Sequence, residues 1–447
     1  MHLNKKLVAG LLALAMTVSM AACASQPQSP ADSGTAAPGD GSSPVDSAEP
    51  VTIRILSSLQ SENPEGPLET SISDAYTALH PNVTFEYISV KSNEYLKKLT
   101  AMGTAGDMVD MFQNSYNNLP TTVDLGLCDD LNTLFDEEYL SGIEPHMLAE
   151  ATYNGQLLFM PTQSMPAALL YRADWFEEEG LEPPETWDDL IKCGQALTKD
   201  IDGDGTIDQY GFALIATKDS SAGTRFLPFL RSFGCRELYF EDGEWKTEVG
   251  NDAFKQACQM FADFDIKYHI TQPGAIETSY SEAANLLVSG RAAMMITGSN
   301  ALGTIYTQNP DLKGRLASCA IPMQTQHATS PRTLGYFIYK GSEHKDICED
   351  YLKFFLEETN ALKWTEVSYR VPVRTEYFDN PILQGEDMKG FVDALGISYA
   401  WPQFLGTAQT YEIIGSVYQA LLTGSTDIDT ASEQARQQIE ELIDSYK

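Results

Sequence analysis

VTIRILS (51–57), VTFEYISV (83–90) and MVDMF (108–112) are three β-rich runs separated by two helical stretches, 67–80 and 92–102, and their order decides the fold. β-branched and aromatic side chains suit a pleated, half-buried surface. The polar loop 60–66 ends the first run. Pro81 stops the first helix, because the residue before a proline is steered out of helical geometry. Ser92 is placed to cap the second helix, and 103–107 reads as a turn. A β-α-β-α-β opening predicts an α/β protein with a mainly parallel sheet covered by helices, since parallel neighbours need long crossovers.

The same alternation continues. Strands are expected at 157–161, 167–171, 292–297 and 333–339, and helices at 252–268, 282–289, 345–358, 411–422 and 430–446. Thr186 with Asp189 three residues later reads as a shortened capping box after Pro183-Pro184. Asp242-Gly243 marks a hairpin across 239–249. No repeat of 20–50 residues is visible.

The chain has 447 residues, 43% of them hydrophobic, enough for two or three domains or one large two-lobed body. It carries 63 Asp+Glu against 29 Lys+Arg, a formal charge of −34. That field argues against nucleic acid or anionic lipid as a partner of the folded body. Residues 1–22 read as a signal peptide: Lys5 and Lys6, an apolar run over 7–16, then small residues. The run SMAAC (19–23) resembles a bacterial lipobox, which implies a lipidated Cys23. Residues 23–50 then form a disordered tether of Ala, Ser, Gly, Pro and Thr with an r.m.s. reach of roughly 30 Å. Loss of Lys5 and Lys6 leaves 27 basic side chains against 63 acids, so the mature charge is −36. No later stretch is long and apolar enough to span a bilayer. Cys128, Cys193, Cys235, Cys258, Cys319 and Cys348 show no C-x-x-C spacing and read as small buried apolar residues.

Five segments, in order, resemble the sugar-type extracellular solute-binding proteins of bacterial ABC importers. They are GDMVD (106–110); the block from NGQ (154–156) through Pro161, 169–176 and PPETWDDL (183–190); the acidic glycine loop 199–211; GRAAMMITGS (290–299); and GYFI (335–338) with the helix after Lys345. The resemblance implies a two-lobed periplasmic-binding-protein-like fold with a ligand cleft between the lobes. It implies one lobe of 51–165 plus 319–360 and another of 166–318 plus 361–447. It also implies capture of a small solute of carbohydrate type, delivery to an importer permease, anchoring outside the cell membrane through Cys23, no required cofactor and no covalent chemistry.

Ligand sites in open α/β sheets lie beyond the carboxyl ends of strands. Ser58, Gln113, Asn114, Gln163, Ser164, Ser299 and Asn300 come just after expected strands, and their hydroxyls and amides donate and accept as sugar hydroxyls do. Each would serve equally as a cap or turn residue. Gly335 allows close backbone approach, with Tyr336 beside it. Trp401 lies in the non-periodic loop YAWP (399–402) and suits stacking on a pyranose face. Tyr369 and Arg370 form a loop tip, with Arg370 either clamping a ligand or pairing with a surface acid. Trp175 and Trp187 read as packing residues, and Trp245 as a hairpin residue open to solvent.

DIDGDGTID (200–208) matches an EF-hand-type loop: Asp200, Asp202, Asp204 and Asp208 as oxygen ligands, Thr206 through its carbonyl, and Gly205 at the sixth position. Gly211 stands where the bidentate Glu would be. Calcium at this loop is one expectation and an unliganded acidic turn the other. Two other function classes remain open: an exported glycan-acting hydrolase using paired carboxylates, and a surface adhesin or sensory binding protein on the same scaffold. G-x-S-x-G, H-E-x-x-H and P-loop motifs are absent, and the six histidines show no metal-ligand spacing.

Replacing Cys23 with Ser is expected to move the protein from the membrane fraction to the medium. Immunoblotting of fractionated cells checks this; a variant retained on membranes refutes the anchor.

Overall fold

The computed structural model describes residues 49–447. The expected signal peptide, Cys23 and nearly all of the tether lie outside the described residues.

Two mixed sheets form the framework. The larger has six strands in the order Val371–Pro372, Met160–Ser164, Thr333–Ile338, Met111–Ser115, Val51–Ser57, Val83–Ser89. Val51–Ser57 is parallel to both Val83–Ser89 and Met111–Ser115, as the opening pattern predicts. The remaining pairings are antiparallel. The second sheet runs Leu316–Cys319, Ala167–Arg172, Ala292–Gly298, Tyr210–Phe212, and only its last pairing is parallel. The expectation of mainly parallel sheets is therefore corrected. Met160–Ser164 leaves the first sheet at its Ser164 end, and Thr333 re-enters opposite Ser164. A strand leaving a lobe and one returning at the same edge must be antiparallel.

The expected lobe boundary at 360/361 also shifts. Val371 pairs with Ser164 and Pro372 with Gln163, so this short strand extends the first sheet. The helix Glu358–Ser368 packs on the first helix, Glu65–Leu79, and on Met160–Ser164. A two-residue strand has no periodicity to announce it. Glu386–Leu395 packs on Leu316–Cys319 and Ala167–Arg172 of the second sheet.

Local signals explain several elements. Thr186 accepts from the N–H of Asp189 and starts the helix Trp187–Leu197. Asp242 and Gly243 both have positive φ, 56° and 83°, and turn the hairpin between Tyr239–Glu241 and Glu244–Lys246. Ser92 does not cap: it opens a 3-10 turn, Ser92–Glu94, and the helix begins at Tyr95. The expected strand at 108–112 lies at Met111–Ser115, three residues later.

Each lobe has its own aromatic core. Phe112 stacks on Phe337 at 5.1 Å in the first. In the second, Trp187 lies 4.4 Å from Phe229 and its indole N–H donates to Ser232 Oγ at 2.8 Å, in keeping with its packing assignment. Trp175 is covered by the Arg172 guanidinium at 3.9 Å. All six described cysteines are free thiols, four buried and two half-buried. Burial pushes Cys128 and Cys319 up to about 12.

Candidate functional site

A cavity of about 480 Å³ lies between the lobes, within the range of small-molecule sites. The first lobe contributes the carboxyl end of Met111–Ser115 and the turn after it: Asn114, Ser115, Tyr116 and Asn118. The second contributes Thr224 and Arg225 from the helix Ser220–Ser232, Tyr280 at the start of Tyr280–Val288, and Thr297 and Asn300 around the end of Ala292–Gly298. Met165, Ser330 and Arg332 come from the crossovers. A fourth wall is Trp401, Gln403, Phe404 and Tyr411, from the loop before and the first turns of Thr407–Leu422.

The wall is held from behind. Trp401 is 6% exposed; its indole N–H donates to Pro331 O at 3.0 Å and its ring lies 5.5 Å from Tyr411. Tyr280 Oη and Thr297 Oγ1 share a hydrogen bond of 3.2 Å, and the Arg225 guanidinium lies 4.2 Å over the Tyr280 ring. Ser115 Oγ, Gln403 Oε1 and Tyr411 Oη are buried with no protein partner. Buried polar atoms without protein partners are costly, and these three face a space that a hydrogen-bonding guest or water can fill. Among the described residues, none that lines this cavity is Asp, Glu, Lys or His.

The sequence profile of the bacterial extracellular solute-binding proteins matches residues 71–389. This chain belongs to that family. A putative binding protein of Brucella abortus is 23% identical over 384 residues, covering 85% of this chain and 90% of the relative. A lactose-binding protein of Rhizobium radiobacter is 25% identical over 301 residues, 63% of this chain and 65% of the relative. Among solved structures, an ABC transporter solute-binding protein of Thermotoga lettingae bound with α-D-tagatose superposes with a TM-score of 0.74 at 20% identity, over 89% of this chain and 100% of that one. The two-lobed solute-binding fold is thus shared.

Of the residues singled out from sequence, Asn114, Asn300 and Trp401 line the cavity of this solute-binding protein. The others do not. Ser58 Oγ donates to Gln113 Oε1 at 3.0 Å, and both are buried inside the first lobe. Gln113 and Asn114 are adjacent in one strand and face opposite sides, so only one reaches the cleft. Tyr336 is fully buried and donates to Glu69 Oε1 at 2.5 Å. Glu69 also accepts from Ser57 Oγ at 2.7 Å and Gln60 Nε2 at 2.9 Å, while burial pushes its carboxyl above the ordinary value. Gly335 is needed for strand contact: a Cβ there would lie 2.0 Å from Met160 O. Arg370 donates to Gln163 Oε1 at 2.8 Å and to Glu65 at 3.0 Å, a buried ion pair rather than a ligand clamp or a surface one. Tyr369 ends its helix in the left-handed region and packs on Tyr306 at 5.5 Å. Ser164 and Ser299 are fully buried, their hydroxyls unpartnered. Trp245 packs on Phe404 at 5.4 Å rather than standing open to solvent.

Asp200, Asp202 and Asp208 bring carboxylate oxygens within 4.8 Å of one another. Asp204 is not one of this group; like the other three it accepts from a backbone N–H of the loop, that of Thr206 at 2.7 Å. Sequence reasoning missed Arg225 and Arg332. Arg225 lies on a helix obscured by Gly223 and Pro228, and Arg332 precedes a strand rather than coming after one. The pair Pro331-Arg332 at the mouth of an expected strand was the available signal.

Glu150 lies behind the crossovers, fully buried, accepting from Thr333 Oγ1 at 3.1 Å. Burial, with Glu144 nearby, holds its carboxyl well above the ordinary range. The folded state therefore keeps a proton that the unfolded chain has lost, and stability falls as pH rises above the ordinary glutamate value. Glu150→Gln is expected to flatten this fall relative to the parent protein. Melting temperatures across about pH 5 to 8 check it; parallel curves would refute it.

Proposed function

We propose that this protein captures a mono- or oligosaccharide in the interlobe cavity and delivers it to the permease of an ABC importer, held outside the cell membrane by a lipidated Cys23. The cavity wall carries the reading. It joins aromatic faces from Trp401, Tyr411, Tyr280 and Phe404 to hydroxyls and amides from Asn114, Ser115, Asn300 and Gln403, and it draws on both lobes. Flat rings suit the apolar face of a pyranose, and hydroxyls and amides suit its rim. The lactose and tagatose in the names of the relative and the structural neighbour support the same class. A ligand touching both lobes favours the closed arrangement over the open one. A glycan hydrolase would need a pair of carboxylates at the scissile bond, and the described lining contains none.

A thermal-shift screen over mono- and oligosaccharides, with amino acids and polyamines as controls, is expected to show stabilisation by a saccharide. Stabilisation by the controls alone would refute the class. For that saccharide, Trp401→Ala is expected to weaken binding by roughly 1–3 kcal/mol in calorimetry. Trp401→Phe, which keeps a ring but loses the bond to Pro331, should lose less.

The loop at 200–208 is proposed to take Ca²⁺ through Asp200, Asp202 and Asp208, with Gly203 and Gly205 in the left-handed region shaping the turn. Calcium is expected to raise the melting temperature and EDTA to lower it, with saccharide affinity unchanged. An unaltered melting temperature in both would remove the metal from the account.

A further inference from the structure

The cavity reverses the charge of the chain around it. About one residue in seven is acidic, 63 of 447, yet the described lining holds two arginines and no carboxylate. From these facts we propose that the solute is an anionic saccharide, its carboxylate or sulfate received by Arg332 and Arg225. The inference rests on the saccharide reading above and narrows it.

Arg332 is the central residue. It comes directly after Pro331, whose carbonyl holds the Trp401 indole, and its own backbone is bonded in both directions to Met165. Its guanidinium is therefore set from the crossover itself, between the lobes, and its side chain is exposed into the cavity. The acid acting on it is Glu62, which does not line the cavity. Arg225 faces the same space from the second lobe, placed by the Tyr280 ring and by its bond to Thr224 Oγ1 at 2.8 Å. Asp219 acts on Arg225, and Arg332 acts against it. Arg370 feels Arg332 as well, but is bound to Glu65.

Each sugar hydroxyl offers one donor and two acceptor sites, and carboxylates are the strongest partners for the donors; the wall offers none. Arginine is donor-only, and its fork matches carboxylate and sulfate oxygens in pairs. Drawing the lobes together over Arg332, whose cavity has no carboxylate in its described lining, is costly unless an opposite charge enters with them. An anion would therefore be both recognised and required for closure.

The test uses the full chain in calorimetry with three saccharide probes of one size, a digalacturonate, a sulfated disaccharide and neutral galactobiose, and with a simple dicarboxylate beside them. At least one anionic probe is expected to bind about 10- to 100-fold more tightly than galactobiose, with affinity falling as NaCl rises. The arm that binds separates uronate from sulfate. Arg332→Gln should erase the preference while leaving the melting temperature of the unliganded protein near the parent value, and Arg332→Lys should retain part of it. Galactobiose binding as tightly as both anionic probes overturns the inference and leaves the saccharide reading standing. Binding of simple dicarboxylates but of no saccharide overturns the saccharide reading and keeps the demand for charge. Binding of none of these overturns the inference, and the saccharide reading is then decided by the thermal-shift screen.

Discussion

Everything between the lobes depends on how the crossovers satisfy their own backbone. These segments leave one sheet before they join the next, so no ladder serves their N–H and C=O groups, and buried backbone polar groups must be paired. They pair with each other. Met165 and Arg332 exchange bonds of 3.0 and 3.3 Å. Thr329 donates from its backbone to Ile397 O and accepts from the N–H of Tyr399, while its hydroxyl donates to Ala167 O. The result is a narrow band of strand-like backbone. A few dihedrals in such a band would change the angle between lobes without disturbing either core. The cavity is built on it, since Met165, Ser330 and Arg332 are at once band and wall.

Behind the band, the first lobe carries polar material that a sequence reading takes for ligand chemistry. Glu69, Tyr336, Ser57 and Gln60 form one cluster, and Ser58 with Gln113 adjoins it. Arg370 ties together Gln163, 207 residues away in sequence, and Glu65, 305 residues away. These bonds join the first helix to strands from distant parts of the chain. Their residue types are those of a sugar site, but their role is to fix helix against sheet.

That difference shows what the sequence could and could not convey. Strand runs, the Thr186 cap and the Asp242-Gly243 turn were legible because each rests on neighbours a few residues apart. The rule that sites lie just beyond strands pointed to Asn114 and Asn300, and Trp401 stood out as an aromatic in a non-periodic loop; all three line the cavity. The rule failed for Gln113 because a strand turns alternate side chains to opposite faces, and a one-residue uncertainty in register selects the wrong one. Tyr336, singled out for its place beside Gly335, proved a core residue because the partner that claims its hydroxyl, Glu69, is 267 residues away. The rule missed Arg332 because that residue enters a strand, and only the antiparallel return of Thr333–Ile338 puts a strand's beginning at the cleft.

The free cysteines have a consequence of a different kind. With no disulfide among the described residues, attaining the native state does not wait on an oxidant. Surroundings that keep Cys128 and Cys319 protonated to about 12 also deny them nucleophilicity. With Cys23 replaced, a single cysteine engineered onto either rim of the cleft would therefore outcompete these thiols for a maleimide dye. Lobe motion would be readable by fluorescence with the described thiols left in place.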